Sequence, residues 1–227
     1  LRSLPELVQT SPLAGSELEQ APAIVRVPLL SAYVDGLAFC ASLHGASDWA
    51  GVDRAFREPP VSTEQILHPE RFARRDDPTP LTLPMFPHIA ERGYDSLPDD
   101  TLGELEMRIY FGQAGDEAAA SIAAEGWDGD RLRVYRKAGA PSAVVWLSVW
   151  DSLNDAKEAE RAAKAVQDKS PPDVGLLAEV LRRDQSLLVL RGLPEELRAP
   201  LRADFAAGVL DGRAQDGAPQ SPARTKL

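Results

Sequence analysis

Cysteine occurs once in this 227-residue chain, at Cys40, and methionine only twice. A single thiol excludes an internal disulfide and any cysteine-based zinc site. Histidine is nearly as scarce: His44, His68 and His88 stand apart without the repeated spacing of a metal motif. Positive charge is short as well, 25 Lys and Arg against 35 Asp and Glu, and the net charge of −10 argues against nucleic acid as a partner. No uninterrupted apolar run approaches bilayer length; the longest, such as 143–147, are of strand length, so a soluble chain without a membrane span is expected. There is no G-x-S-x-G elbow, no Walker loop and no Rossmann glycine fingerprint. The opening residues, LRSLPELVQT, carry neither a methionine nor the basic-then-apolar pattern of a signal peptide. A fragment, a processed product or a trimmed piece of a longer protein is therefore expected.

What is present is ordinary globular material, 44% hydrophobic and 26% charged, enough for one large domain or two small ones. Pro5, Pro12, Pro22 and Pro28 make residues 1–28 an irregular lead-in. Leu30, Tyr33, Val34, Leu37, Ala38 and Ala41 recur at helical spacing over 29–44, with Gly45 as a terminator. Asp48 can cap a second helix to Phe56, with Trp49 and Val52 facing inward. Residues 71–97 hold four further prolines and no periodicity, and read as an extended surface connection between a helical half (29–97) and an α+β half (98–210).

In the second half, Asp99 or Asp100 can cap a helix over 102–112, and Asp116 another to Ala124, stopped by Gly126. Residues 131–137 and 142–150 read as an antiparallel hairpin, and 186–191 as a third strand. Asp151 or Ser152 caps an alanine-rich helix to Gln167, and Pro194 opens a last helix to Ala207. The low-complexity tail 211–227 is expected to be disordered. The fold class is α+β, an N-terminal helical half followed by a small antiparallel sheet packed with helices.

Two stretches are sharply written. In STEQILHPE (62–70), Ser62 and Gln65 form a capping box, Val61 and Ile66 a hydrophobic staple, and Pro69 ends the helix near Leu67. Glu64, His68 and Glu70 are left as candidates for contact with a ligand or partner. In EGWDGDRLRVYR (125–136), Trp127 reads as a core plug and the aspartates as bonds to loop amides, with Asp130 and Arg131 the candidates for lining a groove. Trp146 and Trp150 share one strand face, which suggests burial against the alanine-rich helix.

The ordered series YVDGLAF (33–39), VDRAF (52–56), PPVSTEQILHPERF (59–72), DDTLGELEMRIYF (99–111), AAEGWDGDRLRVY (123–135) and VVWLSVWDSLNDAKE (144–158) resembles a family of bacterial and archaeal exported proteins. These are often lipoproteins, described as zincin-like metallopeptidases or left uncharacterised. The resemblance spans about residues 30 to 200, and its specific segments are PP-STEQ-LHPE and GW-GDR. In that family an HExxH-type helix and a further glutamate-bearing helix lie N-terminal to the segment seen here. Neither occurs in this sequence, so none of the zinc ligands and no catalytic glutamate can be carried onto any position. The resemblance implies a non-catalytic companion segment of an exported protein (periplasm, envelope or extracellular), forming a cleft wall or an interaction surface. It implies no cofactor for this chain itself, zinc belonging to a longer parent, and as partner the N-terminal remainder or another chain. The competing reading is a non-enzymatic envelope or surface lipoprotein scaffold. A self-contained hydrolase using one of the three histidines is a third.

Overall fold

The computed structural model describes residues 17–169 and 178–212. Most of the expected lead-in and residues 213–227 of the expected tail lie outside these. After a single turn at Glu17–Gln20, the chain enters helix α1 (Ala23–Arg57) directly from Pro22. The helix thus starts before residue 29 and takes in Pro28, which costs one backbone hydrogen bond but lies close to the free end. Inside it, Ser47 (φ −150°, ψ 22°) and Asp48 (φ 51°, ψ −153°) leave helical geometry, the break that Gly45 and Asp48 suggest in the sequence. The bend brings Gly51 onto the carbonyl of Leu43, where an added Cβ would lie 2.6 Å from the oxygen. Gly51→Ala is expected to destabilise this corner by about 1–3 kcal/mol, measurable as a lowered urea midpoint. Val52 is buried as expected, but Trp49 is 69% exposed and rests edge-on against the His44 ring. Phe39, Leu43 and Val52 form a small core with Phe72.

Two short helices follow, α2 (Thr63–Leu67) and α3 (Pro69–Arg74). Pro69 does two things here: it disfavours helix at His68, and its fixed φ and missing N–H suit the first position of the next helix. The connection after α3 is no surface loop. It contains α4 (Pro87–Ala90), and its Leu81, Leu83, Phe86, Ile89 and Tyr94 are buried in the main core. Arg133 holds it down, donating to the carbonyls of Leu83 (2.9 Å) and Pro84 (2.6 Å).

Helices α5 (Gly103–Gly112) and α6 (Glu117–Ala124), the long α7 (Leu153–Lys169) and the final α8 (Glu195–Ala206) complete the helical set. The strands are β1 (Asp95–Ser96), β2 (Trp127–Arg136), β3 (Ala143–Trp150), β4 (Ala178–Arg183) and β5 (Ser186–Arg191). They form one antiparallel sheet in the order β1-β2-β3-β5-β4. Strand β4 was not expected from AEVLRR, whose Glu179, Arg182 and Arg183 spoil the apolar alternation a strand normally shows.

The alternation of β3 explains the layering. Val145, Leu147 and Val149 enter a core shared with α8 and the proline-rich connection. Trp146 and Trp150 enter another with α5, α6 and the alanine face of α7, Ala156, Ala159 and Ala163. The sheet is therefore buried on both faces, and the two tryptophans pack against the helix as expected. The last described residues also belong to this body: Leu210 is buried and the Thr82 amide donates to the Gly212 carbonyl at 2.7 Å. The ordered fold thus runs past residue 211.

Candidate functional site

The α2–α3 corner is built locally. Ser62 Oγ accepts from the Gln65 amide (3.2 Å), as the capping box requires. Gln65 Oε1 reaches back one residue further than the motif predicts, to the Val61 amide (2.9 Å). Its Nε2 donates to the Asp76 carbonyl and the Asp77 carboxylate, both at 2.9 Å, so Gln65 ties both ends of the corner. Val61 is 62% exposed and makes no staple.

This frame aims His68 and Arg71 at the α+β body. His68 donates from Nε2 to the carboxylate of Glu104 on α5, 3.0 Å away. Glu104 is fully buried, and Arg108, one turn on, pairs with the same carboxylate. Glu64, only 2% exposed, lies 3.1 Å from Arg71 Nη1. Arg71 also reaches Asp151 at the end of β3 (2.5 Å) and Asp76 (3.3 Å). Glu70 is largely exposed, 3.8 Å from His68 Nδ1. Five carboxylates (Glu64, Glu70, Asp76, Glu104, Asp151) thus surround two guanidinium groups (Arg71, Arg108) and one imidazole.

Burial and these neighbours together set the proton affinities. Burial pushes Glu64 up to about 8, opposed by Arg71 and reinforced by Asp151, Glu104 and Asp76. The hydrogen bond to Glu104 raises His68 above its ordinary value despite the opposing effect of burial. Both groups hold protons more tightly in this setting than in water.

Asp130 and Arg131 are elsewhere. Asp130 is 3% exposed and lines no groove. Its two oxygens accept from the amides of Leu102 and Gly103 and from the indole Nε1 of Trp127 and Trp146, all at 3.0–3.2 Å. It, and not Asp99 or Asp100, caps α5. Burial raises its proton affinity and these donors oppose that. Arg131 is half-buried beside Asp99 (3.6 Å) and Thr101. The two groups of residues are nonetheless joined, because Asp130 fixes the first turn of α5 and the residue after Gly103 is Glu104.

Residues 92–188 match the model of a family described as a domain of unknown function (DUF8575). No curated protein and no solved structure matches the chain. The DUF8575 match contains Glu104, Arg108, Asp130, Arg131 and Asp151, whereas Glu64, His68, Glu70 and Arg71 precede it. The ionic cluster therefore straddles the edge of the matched region and fastens the α2–α3 corner onto it.

Among the described residues no group of three or more His, Cys, Asp or Glu side chains is disposed to hold a metal ion. The cavity between α5 and the sheet, lined by Met107, Phe111, Trp146 and Trp150, measures about 10 Å³ and has room for one water at most. Of the cluster, the Glu104–Arg108 spacing is legible as an i,i+4 helix pair. Arg71 and Asp151 carry no such signal, since their partnership spans 80 residues.

Proposed function

We propose that the chain is a non-catalytic companion segment of an exported, zincin-like metallopeptidase-family protein, whose work is to present an apolar helical wall to the peptidase part. The carrying observation is α1. An 18-residue window of this helix has a mean hydropathy of 1.5 and is 6% buried. Leu29, Tyr33 and Leu37, each one turn beyond the last, are 52%, 80% and 56% exposed. A continuous apolar stripe of this kind marks a surface that is covered in use. The resemblance supplies the occupant, because the zinc-bearing helices of that family precede the segment that this chain resembles.

By length and composition α1 could also cross a bilayer. Two features favour a protein partner. Asp35, hydrogen-bonded by Ser31, lies midway along the apolar stretch, where a bilayer would add about 2.5–3.5 kcal/mol. Phe39 and Leu43 of the same helix are buried against Phe72 in the folded body.

The test is made on the complete gene product and on this chain. The complete product is expected to carry zinc and peptidase activity, and the chain alone to carry neither. The zinc-bearing part of the complete product should bind this chain when supplied in trans, and Tyr33→Ser with Leu37→Ser should weaken binding about 10-fold or more with unchanged thermal stability. Unchanged affinity in the double variant, or a complete product without an HExxH-type helix, overturns the reading. A lipid-anchoring cysteine in place of that helix would establish the scaffold alternative.

A further inference from the structure

We propose that the α2–α3 corner is a proton-operated latch, docked on the α+β body while Glu64 and His68 hold their protons and released as those protons leave. This is independent of the peptidase reading and concerns the chain's own folded state.

The geometry is that of a detachable joint. The corner shares its hydrophobic core, Phe72 with Phe39, Leu43 and Val52, with α1 and not with either core of the sheet. Side-chain polar contacts carry it onto the body: His68 to Glu104, Arg71 to Asp151, and Thr63 Oγ1, which accepts from the Leu105 amide at 3.3 Å. His68 faces Glu70 of α3 and Glu104 and Arg108 of α5. Glu64 faces Arg71 of α3, Asp76 of the following loop, Glu104 of α5 and Asp151 of β3. From α1, Arg54 lies over the Phe72 ring at 5.6 Å. Arg71 is divided among Glu64, Asp76 and Asp151, so ionised Glu64 is a charge out of water with a fraction of one partner, an arrangement that burial penalises.

Both titrations act in one direction. In the undocked corner Glu64 returns to its ordinary 4.5, against about 8 when docked, so docking weakens as pH rises from 4.5 to 8. The His68 contribution is complete below the ordinary 6.5 and is lost as pH rises through its raised docked value. The docked state binds the extra protons, so acid closes the latch and alkali opens it.

The test is amide hydrogen exchange on the intact chain between pH 5 and pH 8, corrected for intrinsic rates. The protection of residues 63–74 relative to β3 and β5 should fall about 10-fold or more over that range. Glu64→Gln, neutral at every pH and nearly isosteric, should flatten the fall below pH 8, and His68→Gln should flatten its upper part. In the wild type, NMR titration of the His68 ring should give a midpoint above the ordinary histidine value. A corner whose protection tracks the sheet at every pH overturns the proposal. So does an equal fall in the variant that combines Glu64→Gln with His68→Gln. Should either variant fail to fold, the wild-type exchange curve and the ring titration decide.

Discussion

Asp130→Ala is expected to lower the free energy of unfolding by about 4–5 kcal/mol, at the upper end for a single substitution. One buried carboxylate satisfies two backbone amides and two indole N–H groups, and removal strands all four in an apolar interior. Each stranded donor costs about 1–3 kcal/mol in isolation, with relaxation reducing the sum. Asp130→Asn keeps one acceptor oxygen but turns an NH₂ toward donors, so it should fall between alanine and wild type. Urea unfolding followed by near-ultraviolet circular dichroism reads both, since Trp127 and Trp146 lose their fixed orientation together. A second readout separates a general loss of stability from loss of the α5 cap. Under native conditions His68 should titrate closer to its ordinary value in Asp130→Asn, because Glu104 follows directly on the turn that Asp130 holds. A loss below 1 kcal/mol for the alanine variant would show that the hub is dispensable.

Arg133→Met should cost about 3–4 kcal/mol, in the range for breaking a buried ion pair by removing one partner. The guanidinium is buried at 6% exposure, forks onto Asp99 at 2.5 and 2.8 Å, and bonds two carbonyls of the proline-rich connection. Methionine preserves the stem, and so isolates the polar loss from the packing loss. The connection carries five large side chains into the core. Its release should therefore appear as cleavage within residues 78–98 under limited proteolysis and as new binding of an apolar dye. Resistance equal to wild type in that segment would contradict the assignment.

What could be read from the sequence divides by distance along the chain. The Ser62 cap, the break near Asp48, the Asp116 cap and the stop at Pro69 all act within a few residues, and all are where local chemistry puts them. The α+β class was legible for the same reason, since the strand residues 143–150 and the alanine-rich helix carry their own periodicities. The misreadings share another cause. Asp130 caps a helix whose first residue lies 27 positions earlier, so the nearby Asp99 and Asp100 were the natural and mistaken choice. The proline-rich connection has no period because it is extended and irregular, yet Leu81, Leu83 and Phe86 meet a sheet face that only the folded chain brings there. In the candidate site, His68, Glu64 and Glu70 stood out as polar residues that the cap did not use. The contacts that carry them onto the body, His68 to Glu104 and Arg71 to Asp151, were hidden, because a pairing between residues 36 or 80 positions apart leaves no local pattern.

The borders of the sheet carry a consequence for how this chain behaves in concentrated solution. One border is the two-residue β1, and the other is β4, whose Glu179 and Arg182 are tied by ion pairs to α8 and α7. Short or charged borders offer a poor template for ladder growth. Crowding should then bring chains together through α1, as reversible oligomers that dissolve on dilution. Fibrils with the 4.7 Å cross-strand repeat are not the expected end point, and the molecule can carry a bare apolar helix without seeding them.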